Sequence, residues 1–341
     1  MQKKHLLKTI CLTILCCLAL PRATHANNEW SVAYEVVAKG NYAADYDSGN
    51  LGFLYSTGID ARKVFVGERS NIATANVQLD VWCTDNQITP APIFEKDHDC
   101  EGVARNLSLN FHVSGDGRFN VMVGHTELPF GLEVPVTTSK SLRSLLTPRD
   151  LALKVDWGVG INGTVSGISY ATLLSRGSGL EYRDRNSPWA FSGRIGTAFN
   201  RQRLLPNAGF GLSFFKGDVL LGNGNLSPRK RIALDGSAYL GRFGFLGQLS
   251  AGETGSNDAW NGLVELNWSN VDESRIGYLQ IKAFNEEVER KWQRDIKLTL
   301  GWRFGYVEGF TWSLQYSRQF RSFASDDDQD FLEFQLKYRW E

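Results

Sequence analysis

Apolar and polar residues alternate with a period of two along much of the chain, and the alternation runs to its last residues. Leu332, Phe334, Leu336, Tyr338 and Trp340 interleave with Glu333, Gln335, Lys337 and Arg339. Ile296, Leu298, Leu300, Trp302 and Phe304 do so around Lys297, Thr299, Gly301 and Arg303, and Leu151, Leu153, Val155, Trp157, Val159 and Ile161 around Lys154 and Asp156. Leu107-Leu109-Phe111-Val113, Trp189-Phe191-Ile195-Phe199 and Val264-Leu266-Trp268 follow the pattern less strictly. Successive side chains of a strand point to opposite faces, so each segment offers one face to lipid and one to water. The pattern predicts sixteen strands. They begin near Trp30, Leu51, Asn71, Ala104, Arg118, Asp150, Gly167, Trp189, Ala208, Lys230, Phe243, Trp260, Arg275, Gln293, Thr311 and Phe331.

A soluble sandwich alternates as well, so the connections and the tryptophans must separate the two. Short turns at Ser114–Gly117, Asn162–Gly167, Gly241–Arg242, Ser269–Ser274 and Gly305–Gly309 take turns with longer polar segments. The longer ones are Asn41–Asn50, Cys83–Cys100, Glu127–Arg149, Arg176–Pro188, Gly222–Arg229 and Arg321–Asp330; Asn200–Asn207 is longer than strict alternation wants. Long loops on one side and short turns on the other mark a membrane barrel, with both termini on the short-turn side. Trp30, Trp268, Trp302, Trp312 and Trp340 fall at that end of the predicted strands, and Trp82, Trp189, Trp260 and Trp292 at the other; Trp157 falls mid-strand. Indole favours the headgroup level, so two belts are expected of a barrel, whereas a soluble core buries tryptophan centrally. The expected fold is all-β: one transmembrane antiparallel β-barrel domain of about sixteen strands over residues 27–341.

Composition narrows this further. Lys3, Lys4 and Lys8 precede the apolar run Ile10–Leu20, and Thr24-His25-Ala26 supplies small residues at a cleavage site, so residues 1–26 read as an export signal. That run is too short to span a membrane as a helix, and no longer one follows. Lys+Arg and Asp+Glu both number 37, and the signal removes four basic residues and no acid. A slightly acidic mature chain speaks against nucleic acid as a partner. Cys83 and Cys100 survive signal removal; in an oxidising compartment two cysteines bracketing a polar loop read as a disulfide. His98 alone beside them does not complete a zinc site.

The Leu332–Trp340 alternation resembles the terminal-strand signal of Gram-negative outer-membrane proteins, although Glu341 follows the final aromatic. The stretch Gly124-His125-Thr126-Glu127-Leu128-Pro129-Phe130-Gly131-Leu132-Glu133 resembles the PFG-containing segment of phosphate-selective-type porins. That resemblance implies sixteen strands, a location among outer-membrane lipids, often a homotrimer, and a long third loop folded into the lumen to narrow it. Phosphate as the solute does not follow from it.

In that loop Ser139–Leu146 is expected to form one or two helical turns ended by Pro148. Leu142, Leu145 and Leu146 would face the wall, with Lys140 and Arg143 on the opposite side. Lys140 and Arg143 are the candidates for an anion-attracting constriction, Glu127 and Glu133 their counter-charges, with Arg149 at the loop's end. By phase Lys154, Arg194, Lys282, Lys297, Arg303, Lys337 and Arg339 point inward, and so do Asp80, Asp156, Asp235, Glu265 and Glu333. Selectivity falls to the constriction, because charges in a wide wet lumen are screened beyond about 8 Å.

Other motifs fail on context. Gly158-Val159-Gly160-Ile161-Asn162-Gly163 spells a dinucleotide fingerprint, but a turn and a strand follow it, not the helix whose N-terminus would hold pyrophosphate. Asn106-Leu107-Ser108, Asn162-Gly163-Thr164 and Asn267-Trp268-Ser269 are chance glycosylation sequons. His112-Val113-Ser114 has the spacing used by outer-membrane phospholipases, yet Ser114 opens a tight turn and the Ser-Asn-Gly sequence is absent. No enzyme, metal or cofactor is expected. Two functions stay open: passive diffusion of small hydrophilic or anionic solutes, and a barrel sheathing a partner such as a cytochrome or a secretion component.

Overall fold

A computed structural model describes residues 30–44, 49–68, 70–85, 100–136, 138, 141–180, 188–197, 208–221, 224–270, 274–307, 309–320 and 328–341. The export signal and Lys140 lie outside these residues.

Sixteen strands close into one barrel, each antiparallel to its two neighbours, with β1 sealed against β16. They are β1 Ser31–Ala44, β2 Gly49–Val66, β3 Asn71–Asp85, β4 Cys100–Phe111, β5 Asn120–Glu127, β6 Val155–Val165, β7 Ile168–Ser175 and β8 Ala190–Thr197. The second half is β9 Gly209–Leu220, β10 Leu226–Leu240, β11 Phe243–Thr254, β12 Asn257–Ser269, β13 Arg275–Val288, β14 Lys291–Val307, β15 Phe310–Phe320 and β16 Gln329–Trp340. Closure leaves no unpaired edge, which a wall crossing hydrocarbon requires because lipid satisfies no backbone N–H or C=O. No helix of the described residues is long and apolar enough to cross a membrane.

The alternation sets which face each side chain takes. On β14 Leu300 is 52% exposed on the outer surface while its neighbour Thr299 is 2% exposed inside. Phe210, Leu212, Ile232, Leu234, Leu249, Leu266, Leu332 and Phe334 continue the outward apolar belt. A belt of this extent around a closed barrel is a lipid-facing surface. Cys83 and Cys100, directly opposite in the β3–β4 ladder, form a disulfide at the long-loop end.

The structure departs from the sequence reading at several places. The strand expected from Asp150 begins at Val155, because residues 147–151 form a short helix, α1 (Thr147–Leu151). Pro148 therefore starts a helix and does not stop one. Its fixed φ suits a first turn, where its missing N–H has no intrahelical acceptor to lose. Residues 141–146 are irregular, so the helical turns expected before Pro148 are not there. With β6 starting at Val155, Trp157 lies near the strand end, in the long-loop belt rather than mid-strand. On that same side β11–β12 and β13–β14 are joined by two-residue turns, Gly255-Ser256 and Glu289-Arg290, so the far rim is low there.

Candidate functional site: a loop sewn across the lumen

The connection between β5 and β6 turns into the barrel at the Pro129-Phe130-Gly131 stretch. Phe130 is fully buried, and Gly131 has φ +59 and so close an approach to the Gln248 amide that a Cβ would lie 2.4 Å from it. Glycine alone meets both demands. The Gly131 N–H donates to Ser213 Oγ (3.0 Å) and the Leu132 N–H to Gln248 Oε1 (2.9 Å), tying the loop backbone to β9 and β11.

Apolar burial fixes the rest of the loop. Leu128, Phe130, Leu151 and Leu153 pack on Leu173, Ala190, Phe215, Val219 and Ala233 of β7–β10. Leu132, Val136, Leu145 and Leu146 pack on Leu246, Leu263 and Phe284 of β11–β13. Each fully covered leucine or phenylalanine contributes roughly 1.5–3 kcal/mol. Leu173, Phe215, Val219, Leu246, Leu263 and Phe284 stand on the inward phase, where a wet wall would carry polar residues. That run of inward apolar side chains was the sequence signal for where the loop lands.

Three carboxylates clamp the loop at its charged positions. Asp150 on α1 accepts from Arg231 Nε (2.7 Å), Asn261 Nδ2 (2.6 Å) and the Ser250 hydroxyl, reaching β10, β12 and β11. Arg143 forks onto Glu265 of β12, Nε to Oε2 at 2.8 Å and Nη2 to Oε1 at 2.5 Å. Arg149 reaches Asp295 of β14 at 2.5 Å while its guanidinium lies 4.1 Å above the Phe284 ring. Asp150, Asp295 and the role of Glu265 as a loop clamp escaped sequence reasoning, because alternation reports which face a residue takes and not which loop comes to meet it.

The expected constriction residues therefore sort differently. Glu127 and Glu133 do not face Arg143; both lie beside Lys154, whose Nζ is 3.1 Å from Glu133 and 3.8 Å from Glu127 and donates to Thr138 Oγ1 at 2.7 Å. Arg143 points to the wall and has its charge met by Glu265 there. Among the described residues of the loop, Arg149 is a cation whose side chain stays partly exposed. Arg194 faces inward but is locked to Asp235 (3.0 and 2.6 Å). Asp156 is buried and accepts from the Gly177 and Gly179 amides at 2.5 and 3.1 Å, pinning the start of the β7–β8 connection.

Opposite the loop, the inner faces of β13–β16, β1 and β2 form a polar wall. Tyr278 lies across Gly301 and donates to Gln315 Oε1 (2.7 Å); Gln315 donates to Glu333, which pairs with Lys39 at 2.7 Å. Lys337 pairs with Glu35 (3.0 Å) and Arg339 with Asp60 (2.9 Å). Lys282 donates to Ser144 Oγ on the loop (2.6 Å), and Lys297 lies over Phe331. Arg303 also keeps inward phase on β14. At the short-turn end His112 engages Thr74 (2.9 Å) and Asn120 (3.0 Å), while Ser114 closes its own turn by bonding Phe119.

No family model matches the sequence, and no curated protein does. Solved structures do match. OprB of Pseudomonas putida superposes with a TM-score of 0.69 at 7% identity, over 91% of this chain and 94% of that one. An anion-selective porin from Comamonas acidovorans gives 0.66 at 11%, over 92% and 100%. The chain has the porin fold. A trimer form of the outer-membrane protein OmpT of Vibrio cholerae gives 0.61 at 10% identity, over 91% and 99%. These porin-like neighbours share the closed barrel without singling out the phosphate-selective family that the PFG stretch resembles.

Proposed function

We propose that the chain is an outer-membrane channel for passive diffusion of small hydrophilic solutes, narrowed by the β5–β6 loop and biased toward anions. The observation that carries this reading is the loop itself. It is bound to the inner wall from β7 to β14 by apolar packing and three carboxylate clamps, facing the polar wall of β13–β16, β1 and β2. Ions crossing that gap shed part of their water, and the fixed charges beside it then act at short range in a low-dielectric setting. Among the described residues Arg149 on the loop and Lys297 on the wall are partly exposed cations beside the gap, with Lys282 buried behind them against Ser144. A barrel sheathing a partner chain is the second reading, and a loop bound inside the lumen favours the channel over it. The anion-selective porin from Comamonas acidovorans and the trimer form of Vibrio OmpT support, by fold, an anion preference and a homotrimer.

Reconstitution into liposomes tests the reading. Purified protein should let small sugars swell the vesicles and should give an anion-favouring reversal potential in a salt gradient. Vesicles as tight as protein-free controls would overturn it. Unheated electrophoresis and chemical cross-linking should show three subunits.

A further inference from the structure

Lys282 and Lys297 stand directly opposite each other in the β13–β14 ladder, on the lumen face. Opposed positions lie about 4.5–5.5 Å apart at Cα, and like charges there are destabilising. Seven other inward cations, Lys39, Lys154, Lys337, Arg143, Arg194, Arg231 and Arg339, each reach a carboxylate. Among the described residues Lys282 and Lys297 form no ion pair. Lys282, almost fully buried, donates to Ser144 Oγ, and Lys297 Nζ lies 4.8 Å from the Phe331 ring centroid. Phe331 points inward and belongs to neither apolar cluster under the loop. Its ring and two ammonium groups that lack an ion pair share one stretch of the polar wall, within the field of Glu333 and beside the loop that narrows the lumen.

We infer that this stretch is a binding step for organic monocarboxylates with a flat apolar body, of which benzoate is the simplest. The carboxylate sits between the two ammonium groups, with the Ser144 hydroxyl as a third donor, and the ring lies on Phe331. An anion there relieves the opposed charges, a gain available only when it is bound. Phosphate fits less well, because one wall of the site is an aromatic ring with no hydrogen bond to give. The inference rests on the channel reading, in that the site lies on the proposed path.

Calorimetric titration of the full-length, detergent-folded barrel tests it without requiring conduction. Benzoate should bind saturably and more tightly than acetate or inorganic phosphate. K282Q and K297Q should each weaken benzoate by about tenfold or more, the scale of a lost charge-assisted hydrogen bond. F331L should remove the advantage of benzoate over acetate. K297E, which turns the opposed pair into Lys–Glu, should raise the melting temperature in the absence of benzoate and abolish its binding, so loss of binding is separable from loss of fold. Benzoate no tighter than acetate, phosphate tighter than both, or binding indifferent to K282Q and K297Q would overturn the site. Bilayer recordings separate the two readings: benzoate binding by a silent barrel keeps the site and removes the channel, and conduction without benzoate binding does the reverse.

Discussion

Asp150→Ala removes one carboxylate that receives hydrogen bonds from three strands, Arg231 on β10, Ser250 on β11 and Asn261 on β12. Hydrogen bonds to a charged group are worth about 1.5–3 kcal/mol each, and those to one acceptor do not add fully. Breaking a buried ion pair costs about 3–5 kcal/mol because the abandoned charge stays buried. Arg231 keeps other acceptors, the Lys230 and Glu253 carbonyls at 2.9 and 2.6 Å and Thr254 Oγ1 at 2.7 Å. The low end, about 3 kcal/mol, is therefore expected. The barrel's ladder does not depend on Asp150, so the cost should fall on the loop as local opening, raised by roughly a hundredfold. Hydrogen exchange reads it directly: the Val136 and Asp150 amides, bonded to Leu132 and Leu146 carbonyls, should lose protection while β1 and β16 amides do not. Channel steps should become larger and noisier. Unchanged loop protection in Asp150→Ala, or equal loss in every strand, would refute the assignment of Asp150 as the loop's anchor.

Three further outcomes are expected. After removal of the signal, denatured, unreduced protein should show no labelable thiol, and Cys83→Ser with Cys100→Ser should cost about 3 kcal/mol by the chain-entropy relation, read by urea titration. Leu300→Arg should cost roughly 2–4 kcal/mol near the bilayer midplane whereas Thr299→Arg should fold and alter conductance, so equal damage in folding assays would contradict the register. Gly301→Ala would put a methyl 2.1 Å from Tyr278 Cζ. Overpacking of that kind costs about 1–3 kcal/mol, and adding Tyr278→Leu should recover most of it, as melting curves of the single and double variants will show.

The barrel was legible because its physics is repetitive. Every strand must put apolar atoms outward and pair both edges, so Leu332–Trp340 and Ile296–Phe304 report face and membrane in one glance. The disulfide was legible from two cysteines around one loop. What alternation misreads is the loop entering the barrel. Leu151 and Leu153 mimic a strand's period, yet they are buried under the loop's own cluster, and the chain between Thr147 and Leu151 is helical. Arg143 looks like a free cation because Glu265 is 122 residues away in sequence. The lysine pair at 282 and 297 was visible as two inward charges, but their opposition comes from strand register, which no single strand encodes. The resemblance implied that the loop Glu127–Arg149 folds inward; that it enters at Pro129-Phe130-Gly131 comes from the structure, where Gly131 supplies the physical reason.

The account stands or falls on a barrel that conducts through a gap much narrower than its own wall. Single-channel recording of the purified protein with neutral polymers of graded size on one side measures that gap. The account predicts discrete openings that only the smallest polymers depress, with the cutoff moving to larger polymers in Asp150→Ala. Openings that admit large polymers in the wild-type chain, or no openings at all, would contradict it.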